Sequence, residues 1–213
     1  MVKSKTSRLG RPSFKESIEQ RERIFTAALK HFIEDGYSET TMEGIAKTAN
    51  VAKQTVYSQH KDKRTLFFRV IERFRDPRAN IEIILDQRLP FAEALRQLGL
   101  GILGGAHTPK SIAFLKLVQR EGHAFPELAK MFLDINTRLL FKPLEAYMAK
   151  ARKKGELHGL TPRQAAQWFT HLVFGEYLRR GLMQIPPMSP REVKANVGIA
   201  VKLFLNGVRA QKS

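Results

Sequence analysis

From Ile18 almost to the C-terminus, apolar residues recur at three- and four-residue spacing, and nowhere do they alternate in the two-residue rhythm of a strand. That periodicity admits only an all-α fold. Proline reinforces it by position: Pro90, Pro109, Pro126, Pro162 and Pro190 each open a helical run, where a missing N–H costs nothing. Thr161 and Ser189 stand before two of these prolines as N-caps. The spacing predicts a long helix from Pro126 to about Lys154, a turn over Gly155 to Gly159, a helix from Pro162 to about Met183, and a last one from Pro190 to about Val208.

The N-terminal part is more finely divided. Residues 1–15 have no apolar periodicity and read as a disordered basic arm; 16–66 form a first helical domain and 67–213 a second. In 16–66 a helix from about Ile18 carries Phe25, Ala28 and Phe32 inward and should stop at Gly36, which suits a left-handed C-cap. "TTMEGIAKTANV" then predicts a helix of about two turns, with Thr40 and Glu43 at capping-box spacing. Asn50 tolerates the left-handed backbone of a tight turn. A third helix, from about Ala52 to Ser58, places Val56 inward. Two short helices across a tight turn, braced by a longer one, form a helix-turn-helix; an ordinary helical hairpin has the same spacing.

Charge narrows the partner but does not locate it. The chain of 213 residues has a formal net charge of +17, which favours a polyanion such as nucleic acid. Yet residues 16–66 balance, with eight Lys/Arg against eight Asp/Glu, while the arm has Lys3, Lys5, Arg8, Arg11 and Lys15 and no acid. The remaining excess lies in 67–213, where an anionic ligand and long-range steering toward DNA explain it equally. Arg8 and Arg11, flanking Gly10 and Pro12, can lie in a narrow A·T minor groove, or the arm is a solubilising tail.

No enzyme chemistry suggests itself. Without cysteine, disulfides and thiolate sites are excluded, and a reducing, cytoplasmic setting is the simple expectation. No apolar stretch is long enough for a membrane span. The six histidines (31, 60, 107, 123, 158 and 171) have neither HxxxH nor HExxH spacing, so neither metal nor cofactor is expected. "GLGILGGA" lacks the lysine of a phosphate loop; its glycines permit close helix packing or leave room for a ligand.

The stretch Arg23 to Phe67, "RIFTAALKHFIEDGYSETTMEGIAKTANVAKQTVYSQHKDKRTLF", resembles the DNA-binding domain of the TetR family of transcriptional regulators. The match rests on Ala27-Ala28, Phe32, Gly36-Tyr37, Thr40-Thr41, Ile45-Ala46, Ala49, Val51, Tyr57, Lys63 and Leu66 together. "EGHAFPELAKMF" and "KKGEL" resemble the C-terminal domain of that family's AefR-like branch. Two positions depart from the pattern: Asn50 replaces the usual turn glycine, and His60 replaces an aromatic that often closes the domain. His60 either loosens the domain or gains a phosphate contact.

The resemblance implies a homodimer on a palindromic double-stranded operator, with the third helix of each domain in the major groove, and a small-molecule effector that releases a repressor. The DNA-contact candidates are then Thr41, Lys53, Gln54, Thr55, Tyr57, Ser58, His60 and Lys63, with Arg8 and Arg11 from the arm. Lys53 can donate to guanine O6 or N7, and Gln54 can pair with adenine. Thr55 suits a phosphate or a thymine methyl. Tyr57 reaches the backbone in family members, Lys63 is a phosphate anchor, and Thr41 joins backbone N–H groups in an anion site. Glu43 could accept from cytosine N4, although the helix cap is the simpler use. Phe114, Val118, Trp168, His171 and Tyr177 are the candidates for an apolar effector pocket, against the alternative of core or dimer interface, and the last two helices are the expected interface. A small-molecule-binding helical protein whose basic surface meets an acidic protein or anionic lipid is the competing function.

Overall fold

The computed structural model describes residues 14–74, Leu85, 89–106 and 109–208, and among these no strand occurs. The chain divides into two compact units, Met1–Val70 and Ile71–Ser213.

In the first unit, α1 (Phe14–Glu34) buries Ile24, Ala27, Ala28 and Phe32. It begins ahead of the apolar periodicity, since Phe14 and Lys15 are already helical, and the Phe14 side chain is exposed. Gly36 ends α1 with φ of 90°, a conformation that would strain a side-chain-bearing residue. A one-turn helix, α2 (Gly36–Glu39), follows and drives Tyr37 inward. Tyr37, Phe32 and Phe67 pack as an aromatic trio with centroids 4.9–5.9 Å apart.

Helices α3 (Met42–Thr48) and α4 (Lys53–Gln59) are joined through Asn50, whose φ of 52° is the left-handed turn expected of it. The N–H of Val51 closes the turn on the Ala46 carbonyl at 3.1 Å. His31 clamps this arrangement to α1, with Nδ1 at 2.6 Å from Asp35 Oδ2 and Nε2 at 2.8 Å from Thr48 Oγ1. The N-cap of α3 is Thr41, whose hydroxyl accepts from the Gly44 N–H at 3.0 Å. The Thr40–Glu43 capping box does not form: Thr40 is buried and donates to the Gly36 carbonyl at 2.6 Å. Helix α5 (Lys63–Phe74) completes the unit and runs past its boundary. The break expected near Pro77 lies outside the described residues.

The second unit contains α6 (Phe91–Ala106), α7 (Pro109–Glu121), α8 (Pro126–Asn136), α9 (Lys142–Lys153), α10 (Pro162–Leu182) and α11 (Pro190–Val208). The run expected to be one long helix is α8 and α9 joined by a π turn, Thr137–Phe141. Pro143 supplies a reason: it has no N–H to donate, and its ring would press on the carbonyl one turn back in a regular helix. Both late N-termini carry capping boxes, Thr161 with Gln164 and Ser189 with Glu192. The core is built largely from α6, α9, α10 and α11, with Leu98, Leu144, Phe169, Val173 and Val197 fully buried. Gly99 marks a close approach of α6 to α11, because a Cβ there would lie 2.8 Å from Val197 Cγ1. Arg180 ties α10 to α11 by bonding Glu176 at 2.8 Å and Glu192 at 2.7 Å. Among the described residues no helix is long and apolar enough to cross a membrane.

Candidate nucleic-acid interface

Helix α4 has one inward anchor and an outward polar face. Val56 is fully buried, while Lys53, Gln54, Tyr57 and Ser58 are exposed and Thr55 is half-buried. Gln54, Tyr57 and Ser58 follow i, i+3, i+4 spacing and so share one side of the helix. Ser58 already donates to the Thr55 carbonyl at 3.0 Å, leaving its oxygen lone pairs as its outward function.

The N-terminal end of this face is organised by Glu43 of α3. Its carboxylate forms a close ion pair with the Lys53 ammonium, and Tyr57 Oη lies 3.5 Å from Glu43 Oε1. The ammonium also sits 5.6 Å from the centre of the Tyr57 ring. Hydrogen bonding to Lys53 holds the Glu43 carboxyl below its ordinary range, and the same contact raises the Lys53 ammonium above its own. Both groups therefore stay ionised at neutral pH. Glu43 makes no cap contact of the expected kind, and its interhelical role was not legible from spacing within α3.

Two of the expected contacts, His60 and Lys63, occupy different surroundings from those anticipated. His60 is buried, edge-on to Phe25 with centroids 5.6 Å apart, and neither ring nitrogen has a hydrogen-bond partner among the described residues. Burial, then the charges of Arg69 and Arg21, push its pKa down, which favours the neutral ring. It fills the place of the missing aromatic. Lys63 is no free anchor: its Nζ donates to the Tyr37 and Ser38 carbonyls at 2.7 and 3.0 Å and lies 4.6 Å from the Tyr37 ring centre. It braces α5 against α2. Thr41 is exposed at the N-terminus of α3, where its hydroxyl oxygen accepts from Gly44 and its O–H remains a donor. Arg8 and Arg11, with the rest of the arm to residue 13, lie outside the described residues.

The five effector-pocket candidates separate into two environments. Phe114, Val118 and Tyr177 are buried, and desolvation pushes the Tyr177 phenol up to about 12. Trp168 is 57% exposed and meets the exposed His171 edge-on at 5.7 Å. These two face outward with Leu178 and Leu182, while α11 exposes Ile199 and Leu203. The last two helices thus each leave apolar side chains exposed in the single chain.

A short helix with an outward polar face, held by a tight turn against a second helix and braced by a third, defines a helix-turn-helix protein. Residues 24–70 match the family model for bacterial regulatory proteins of the tetR family, and residues 93–207 match the C-terminal domain of AefR-like transcriptional repressors. The chain belongs to the TetR family and is a helix-turn-helix transcriptional regulator.

Among curated relatives, it is similar to the HTH-type transcriptional regulator YhgD of Bacillus subtilis, 34% identical over 88 residues, which are 41% of this chain and 46% of that protein. The chain thus spans about half the length of that relative. Its fold is similar to a TetR-family regulator from Mesorhizobium loti, with a TM-score of 0.77 at 22% identity over 93% of this chain and 100% of the other. The flavonoid-responsive regulator FrrA is similar over 92% of this chain and 100% of its own, with a TM-score of 0.71 and 26% identity.

Proposed function

We propose that the chain is a dimeric repressor that reads a palindromic operator through α4 and is released by a small molecule. The supporting observation is the outward face of α4: Lys53, Gln54, Tyr57 and Ser58 are exposed around a single buried anchor, Val56. Lys53 and Gln54 supply base-edge contacts to guanine and adenine. Tyr57 and Thr55 hold phosphates and set the register, and the Ser58 oxygen accepts from a base amine. Dimerisation uses the exposed apolar faces of α10 and α11, and two-fold symmetry then requires half-sites separated by about one helical turn (~34 Å) or a multiple of it. The +17 net charge accelerates the encounter without supplying sequence discrimination.

An effector would act by binding more tightly to the dimer whose two heads do not match the operator spacing. The buried Phe114, Val118 and Tyr177 of the second unit are the residues offered to it. The name of the similar regulator FrrA describes it as flavonoid-responsive, which supports a small organic effector here.

A mobility-shift titration with DNA upstream of the chain's own gene tests the proposal. Sequence-specific retardation is expected, weakened by Lys53→Ala and by Tyr57→Phe. No sequence-specific shift at any salt concentration would reject it and favour a basic helical protein with a different acidic partner.

A further inference from the structure

We infer that Glu43 and Lys53 together read one base pair in each half-site as G·C or T·A, the two orientations that set an acceptor beside a donor in the same order. The inference rests on the placement of α4 in the major groove and extends it to a residue of α3.

A lone carboxylate is a poor visitor to DNA, because the phosphates repel it. Glu43 is not alone: its charge is offset by the Lys53 ammonium bonded to it, and both side chains are more than half exposed, at 51% and 58%. The pair therefore presents an acceptor and a donor side by side at the start of the reading helix. A G·C pair presents the complement in the major groove, with the guanine O6 acceptor beside the cytosine N4–H donor. Those two base atoms are hydrogen-bonded to each other at about 2.9 Å, similar to the separation of an ammonium and a carboxylate in contact. Lys53 can donate to O6 while Glu43 accepts from N4–H, without the ion pair having to break. A T·A pair presents the same order, thymine O4 beside adenine N6–H, whereas C·G and A·T reverse it and would set ammonium against amine and carboxylate against carbonyl.

Tyr57 restrains the arrangement. Its ring lies under the ammonium at 5.6 Å and its hydroxyl approaches the carboxylate at 3.5 Å. The N-cap of α3 is Thr41, so the cap does not depend on the Glu43 carboxylate.

The test is selection from a randomised duplex pool by the full-length chain, by Glu43→Gln and by Lys53→Ala, with circular dichroism melts to establish equal folding. The wild type should enrich G or T on the same strand, as G·C or T·A, at one position of each half-site. Each substitution should relax that same position, by about tenfold in relative affinity, and leave the other positions intact. Relaxation at two different base pairs would overturn the inference while leaving α4 as the reading helix. Uniformly tighter binding by Glu43→Gln to every sequence would do the same, since it would mark the carboxylate as merely repulsive. A wild-type chain that enriches no sequence would overturn the placement of α4, and this inference with it.

Discussion

The His60 imidazole packs edge-on against Phe25, 5.6 Å between centroids, with both of its nitrogens buried and without a hydrogen-bond partner among the described residues. A protonated ring in this place would carry a charge without an acceptor, facing the positive charges of Arg21 on α1 and Arg69 on α5.

Acid should therefore loosen the DNA-binding unit. The folded-state pKa of His60 lies below its ordinary value of 6.5, so the unfolded chain binds this proton first. The contribution of a neutral His60 is fully present above about 6.5 and is lost as pH falls through the folded-state pKa. His60→Phe should raise stability by about 1 kcal/mol and flatten the pH dependence between 7 and 5. Thermal unfolding across that range checks both; an unchanged slope in the variant would assign the pH dependence elsewhere.

Removal of the Lys63 ammonium should cost stability before it affects DNA affinity. Its two bonds to the Tyr37 and Ser38 carbonyls make Lys63→Met destabilising by about 2 kcal/mol. Urea unfolding measures this directly. A variant with wild-type stability and a shallower salt dependence of DNA binding would instead identify Lys63 as a phosphate contact.

Gly99→Ala should destabilise the second unit by about 1–3 kcal/mol, since its Cβ would meet Val197 Cγ1 at 2.8 Å. Val197→Ala in the same chain should recover part of that loss. Gly104→Ala serves as the control: among the described residues nothing lies within 4 Å of its Cβ, and the change should be neutral or stabilising by about 0.5–1 kcal/mol. Calorimetric melting of the three variants tests the series.

Trp168→Glu should yield folded monomers. The side chain is 57% exposed in one chain, so a charge there leaves the core intact but disfavours an apolar interface. Sedimentation equilibrium is expected to fall to the 24.3 kDa of a single chain while helical content is preserved. A variant that remains dimeric would place the interface away from this face.

Much of the helical order is a local property and was readable in the sequence. Proline at helix starts, Gly36 and Asn50 in left-handed turns, and the Thr161 and Ser189 caps act within a few residues of themselves. The buried faces of α1 and α4 follow from three- and four-residue spacing, because side chains at that spacing share a side of the helix. The family pattern, too, is carried by residues in sequence order.

Contacts between distant residues were decided only by the tertiary structure. His60 could have been a surface cation until Phe25, from a different helix, closed over it. Lys63 was a free ammonium in sequence, and its carbonyl partners lie 25 and 26 residues away. Glu43 matched a capping pattern, but Thr41 was the better placed cap and released the carboxylate to meet Lys53 across the turn. Trp168 and Tyr177 share a helix and an aromatic character, yet one faces out and the other in. Periodicity says which residues lie together; only packing decides which of those faces is covered, and by what.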